Sequence, residues 1–121
     1  MFFSCATTGH YYQNLNQFIE QGNYSSSAKL VKNSKYKVYG KKNALLFYFD
    51  SGMLLHLNGQ YEESNIAFEQ AKRISLEYFT KSITTEASTL LVSDNMRPYY
   101  GEDFERVFVY IFSALNYIFL G

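Results

Sequence analysis

Leu45-Leu-Phe-Tyr48-Phe-Asp-Ser-Gly52-Met-Leu-Leu55-His-Leu-Asn-Gly59-Gln-Tyr61-Glu-Glu-Ser64-Asn-Ile-Ala-Phe68-Glu-Gln-Ala71-Lys-Arg-Ile74 is the stretch on which the fold turns. Aromatic Tyr48, small Gly52 and apolar Leu55 recur at helical spacing, then Gly59 interrupts, and Tyr61, Ser64, Phe68 and Ala71 resume the same period. This is the pattern of two antiparallel helices joined by a tight turn. Gly52 and Ser64 are small enough to let the helices approach closely. Gly59 supplies a left-handed residue after the first helix, and Tyr61 and Phe68 fill the space between the two.

Working outward, the spacing recurs upstream. Tyr11, Leu15 and Phe18 lead to Gly22-Asn23-Tyr24, after which Ser27 and Val31 stand where Ser64 and Phe68 stand in the second unit. Gly22 and Gly59 lie 37 residues apart. Downstream, Tyr110, Ala114 and Tyr117 precede Gly121 as Tyr48, Gly52 and Leu55 precede Gly59. The pattern resembles the tetratricopeptide repeat, whose period is about 34 residues. The resemblance implies an all-α solenoid of helix-turn-helix units: residues 8–41, residues 45–78 and a half unit at 107–121. The chain ends where the second helix of a third unit is due, so a truncated chain or a terminal half repeat is expected.

Gly59 and Gly121 are 62 residues apart, which requires a helical insertion, placed at 79–106. The second helix of unit two is expected to continue past Ile74 to Phe79. A further helix is expected over Ser82 to Val92, ended by Ser93-Asp94-Asn95 and Arg97-Pro98. Gly101-Glu102-Asp103 then opens the last helix with acids in its first turn, where the helix dipole favours them. Residues 107–120 form the most apolar run, but 14 residues fall short of the roughly 20 that a membrane span needs. That run is expected to be buried by protein, or to associate where it is not.

Composition narrows the function classes. The chain has 121 residues, 47% of them hydrophobic, and 12 Tyr and 11 Phe make it 19% aromatic. One modest domain with a core follows, at residues 10–121. Net charge is zero, which argues against general nucleic-acid binding. The charge is divided, however. Residues 1–42 hold six lysines (Lys29, Lys32, Lys35, Lys37, Lys41 and Lys42) against Glu20, while residues 43–121 hold ten acids against five bases. The lysines are read as a solvated face, with contact to anionic lipid the sharper alternative.

A single cysteine forms no internal disulfide and no zinc site, since structural zinc takes about four ligands. Met1-Phe2-Phe3-Ser4-Cys5-Ala6, followed by Thr7-Thr8-Gly9, looks like the tail of a bacterial lipobox, so residues 1–9 are read as a tether acylated at Cys5. Phe2 stands where that motif usually has Leu, and no charged and long apolar leader precedes it. At Pro98-Tyr99-Tyr100-Gly101-Glu102-Asp103-Phe104-Glu105-Arg106 the chain further resembles an uncharacterised family of bacterial lipoproteins with tetratricopeptide-like repeats. That resemblance implies a lipid anchor, a cell-envelope location and a scaffold role. It implies no catalytic residue.

The chemistry-bearing residues are few. His10 and His56 have no carboxylate or cysteine at metal-site spacing, and there is no phosphate loop, dinucleotide fingerprint or nucleophile elbow. No cofactor and no metal are expected. In tetratricopeptide-like arrays the first helices of the units line a groove that takes a protein or peptide partner. Here the row is Tyr12, Asn16 and Ile19, then Phe49, Met53 and His56, then Ile111, Leu115 and Ile118. It lacks the basic clamp that would hold a chain-terminal carboxylate, so an apolar segment is the expected ligand. The alternative for the last three is core, covered by the insertion. The expected function is a non-catalytic, envelope-tethered interaction scaffold, with self-association through the apolar C-terminal helix as a further possibility. The alternatives are a cytosolic adaptor and an envelope enzyme using Glu102, Glu105 or His56.

Overall fold

The structure, a computed structural model, describes residues 6–89 and 103–121. Five α-helices follow one another among these residues: α1 (Ala6–Glu20), α2 (Tyr24–Asn33), α3 (Ala44–Leu57), α4 (Tyr61–Thr89) and α5 (Asp103–Leu120). A single π-helical turn (Lys35–Tyr39) joins α2 to α3. No strand occurs among the described residues, and the chain is all-helical as expected. Each helix packs on its neighbours in sequence, and α5 lies against both α3 and α4.

The two hairpins close by the same hydrogen bonds. After α1, the Gly22 N–H donates to Ile19 O at 3.0 Å and the Asn23 N–H to Phe18 O at 2.9 Å. After α3, the Gly59 N–H donates to His56 O at 3.0 Å and the Gln60 N–H to Leu55 O at 2.9 Å. Both turns need a left-handed residue, and Gly22 and Gly59 sit at φ 72° and 78°. Five residues on, Ser27 N–H and Ser64 N–H donate to Asn23 O and Gln60 O, so the second helices also start alike. The 37-residue recurrence in sequence is thus a recurrence of backbone geometry.

Packing inside the hairpins differs by a size exchange. Gly52 lies so close to the ring of Phe68 that a methyl group at 52 would collide with it. In the first hairpin the equivalent positions hold Leu15 and Val31, both buried in one cluster with Tyr11, Tyr39, Leu46, Phe47 and Leu54. A large residue on one helix is matched by a smaller one on the other. Full burial of Phe68 contributes about 1.5–3 kcal/mol. The Ser64 hydroxyl donates to Gly52 O at 2.7 Å across the same contact, satisfying a polar group that the packing encloses.

Apolar on every side, with Asp50 its only acid or base besides His56, α3 is the central helix. Leu46, Phe47 and Leu54 face the first hairpin, and Leu45 and Phe49 join Phe68, Ala71, Ile74 and Val109 on the other side.

Two expectations are corrected here. A separate helix over Ser82 to Val92 does not form as such, because α4 runs unbroken from Tyr61 to Thr89. Residues 79–82, Phe-Thr-Lys-Ser, contain no glycine or proline to stop it. For the end of the expected row it is the core alternative that fails, since Ile111 and Ile118 are exposed. The residues turned inward are Val109, Ser113 and Asn116. Helix α1 begins at Ala6, within the stretch read as a tether, while Cys5, Pro98 and Glu102 lie outside the described residues.

Candidate functional site

Between α3 and α5, over the α4 ring of Phe68, runs an open cleft of about 340 Å³. Phe49 and Met53 line it from α3, Phe108 and Phe112 from α5, and the polar residues at its edge are Asp50 and Glu105. The size is at the low end of small-molecule pockets, about 300–1,000 Å³, and suits one or two inserted side chains.

Asp50 is held at the cleft by the first hairpin. Tyr39 O–H donates to Asp50 Oδ2 at 2.6 Å and Tyr12 O–H donates to the same oxygen at 3.3 Å. Because Tyr39 spends its one proton on Asp50, the 3.0 Å contact between Tyr11 and Tyr39 is a donation from Tyr11. Tyr39 arrives here through the π-helical turn, in which Tyr39 N–H and Gly40 N–H reach back five residues to Ser34 O and Lys35 O. Edge-to-face contacts of Tyr11 with Tyr12 and Tyr39, at 4.9 and 5.7 Å, fix the rings. The Lys35 ammonium covers Phe47 and Tyr48 at 5.5 Å from each, so this lysine is not simply solvated.

Burial dominates the electrostatics. It pushes the Asp50 carboxyl up to about 6 against the lowering effect of the Tyr39 and Tyr12 hydrogen bonds, and the Glu105 charge raises it further. Burial likewise raises Tyr11 to about 12 and raises Tyr12 and Tyr39 as well. These tyrosines therefore act as neutral donors.

A second polar cluster lies toward the C-terminal end of α5. The buried Asn116 receives the His56 Nδ1–H at 2.6 Å and donates to Ser64 Oγ at 2.8 Å and Asn65 Oδ1 at 2.9 Å. Ser113 adds a bond to Asn65 at 3.2 Å and accepts one from Lys72 at 3.2 Å. His56 also packs edge-on against Tyr61 and Phe112, at 5.6 and 5.0 Å. With its ring nitrogen committed to an amide, the imidazole is a structural link between α3 and α5.

Of the sequence-derived groove row, Phe49 and Met53 line the cleft, and Tyr12 reaches its polar end through Asp50. Ile19 packs on the first core cluster, Asn16 is exposed, and His56 belongs to the amide network. Leu115 is half-buried, while Ile111 and Ile118 point away. Sequence reasoning missed Asp50, Tyr11 and Tyr39 on one side of the cleft and Phe108 and Phe112 on the other. The signal for the first group was a lone acid in an apolar helix, which needs donors from somewhere. Among the described residues no group of three or more His, Cys, Asp or Glu gathers to hold a metal, and no helix is long and apolar enough to cross a membrane. No protein-family model, curated protein or solved structure matches this chain.

Proposed function

We propose that this chain is a tetratricopeptide-like interaction module, a non-catalytic scaffold that takes an apolar partner segment into the cleft between α3 and α5. The observation that carries the reading is the cleft itself: four phenylalanine rings and Met53 around an opening sized for side chains. Two hairpins with the same turn geometry, 37 residues apart, support the repeat assignment. The test is selection of random 12-residue peptides on the immobilised protein, followed by affinity measurement on Phe108→Glu. Phe108 is half exposed, so the charge alters the cleft without opening the core. Apolar peptides that bind at least tenfold more weakly to the variant support the reading. No enrichment, or equal affinity, overturns it.

The lipobox-like context of Cys5 supports a tether to the bacterial envelope, as in the lipoproteins that the sequence resembles. Mass spectrometry of detergent extracts decides it: an acylated Cys5 places the scaffold at a membrane, and a free thiol leaves a cytosolic adaptor. The outer face of α5, with no charged residue from Val107 to Gly121, supports a second copy of the chain as a further partner.

A further inference from the structure

We propose that the lysine-rich outer side of α2 and the π-helical turn after it form a docking surface for an anionic lipid bilayer, with Tyr36 set among the headgroups. The inference is independent of the cleft and its peptide. From Gln21 to Phe49 the chain has six lysines and no acid. Lys29 and Lys32 stand about one turn apart on α2, opposite its buried Ser27 and Val31. Lys37, Lys41 and Lys42 are exposed in the π-helical turn and the residues that follow it. Among the described residues no ion pair engages any of these five ammonium groups, whereas Lys72 and Arg73 are both paired. The neighbouring elements leave them so. Apart from each other, α2 and the π-helical turn pack only on α1 and α3, away from α4 and α5. Glu20 is the one acid of α1, and Asp50, the one acid of α3, is taken up by Tyr39 and Tyr12.

Tyr36 favours a bilayer as the anion. Its ring is 85% exposed in the midst of the lysines, and tyrosine suits the membrane interface, with its apolar body toward the acyl boundary and its hydroxyl in water. The basic set is also lysine throughout. It lacks the arginine forks that read base edges and grip phosphates bidentately, while flexible point charges suit a fluid array of headgroups. Residues 43–121 carry ten acids against five bases, so an anionic surface attracts one part of the chain and repels the other, which orients it.

The full chain, with Cys5 unacylated so that no anchor supplies the binding, is sedimented with vesicles of phosphatidylcholine alone or with about one third phosphatidylglycerol. Binding at least tenfold tighter to the anionic vesicles is expected at about 50 mM salt, falling to the neutral level at about 500 mM. Lys29→Gln, Lys32→Gln and Lys37→Gln together should remove that preference, since each lysine near an anionic surface is worth roughly fivefold. All three are exposed, so the urea midpoint should not move, which separates lost binding from lost fold. Tyr36→Ser should weaken binding several-fold with its salt dependence unchanged, as a ring in the interface requires. Equal binding to both kinds of vesicle would assign attachment to the apolar face of α5 and overturn the inference. A preference kept in the triple variant, full-strength binding by Tyr36→Ser, or tighter binding per phosphate to a random single-stranded RNA than to the anionic vesicles would overturn it as well.

Discussion

At position 52 the chain has no room for even one methyl group. An alanine there gains about 1 kcal/mol of helix propensity over glycine, but its Cβ meets the buried Phe68 ring. Overpacking typically costs about 1–3 kcal/mol and here opposes a rigid ring, so Gly52→Ala is expected to destabilise by up to about 2 kcal/mol net in urea denaturation. Phe68→Leu in the same chain should return part of that loss, because the first hairpin already packs Leu15 with Val31. Coupling of the wrong sign between the two changes would show that the size exchange is not what sets helix spacing. Asp50 gives a second residue-scale outcome. Its carboxyl titrates at about 6 in the folded chain against an ordinary 3.8, so between these values the native state binds more protons than the unfolded one. Stability from this group is therefore full below about pH 4 and falls as pH rises through 6. Between pH 7 and pH 4.5 the natural chain should gain up to about 2 kcal/mol relative to Asp50→Asn, read as the difference in urea midpoints at the two pH values.

The helical elements divide into those whose placement a single residue type dictates and those that distant partners dictate. Gly22 and Gly59 were legible because their backbone angles favour glycine, and their spacing disclosed both hairpins. Helix α4 was legible as a helix but not in length, since its periodicity continues past Phe79 without a breaker and the described helix runs on to Thr89. Rotation of α5 was not legible. Its sequence has aromatic or aliphatic residues on every side, so apolar periodicity leaves the inward face undecided. The face is chosen instead by two polar residues, Ser113 and Asn116, which find partners 41 to 60 residues away in sequence. Of the expected row, Phe49 and Met53 on α3 do line the cleft, whereas on α5 the lining residues are Phe108 and Phe112 rather than Ile111, Leu115 and Ile118. Asn116→Ala tests this account. It removes the acceptor for His56 and a donor to Asn65 in a buried setting, for an expected loss of about 1–3 kcal/mol. His56→Ala in the same chain should cost less than the sum of the two single changes, because each alone strands the other side chain.

Across the whole molecule, charge and apolar surface are segregated. Six of the eight lysines gather before α3, nearly all the acids lie in or after it, and among the described residues the exposed apolar side chains are concentrated on α5, where Val107, Tyr110, Ile111, Tyr117, Ile118 and Leu120 are all exposed. Such a face on a terminal helix is larger in apolar content than scattered surface residues account for. Fifteen consecutive residues from Val107 to Gly121 carry no charge, so two copies can bring these faces together without opposing like charges. Ala114, also exposed, lies among Tyr110, Ile111, Tyr117 and Ile118 and allows the two helices to approach closely at their crossing. Sedimentation of the chain at increasing concentration should therefore show a monomer–dimer equilibrium. Ile111→Glu with Ile118→Glu should shift it toward monomer by at least tenfold in dissociation constant, because four like charges would meet at the contact. Ile118 is 71% exposed, so the changes should leave the urea midpoint of dilute protein close to that of the natural chain. Since Phe108 and Phe112 line the cleft on another part of the helix, the double variant should also keep its affinity for the selected peptides. Loss of peptide binding together with the dimer would mean that the cleft is completed by the second copy and that the two surfaces act as one.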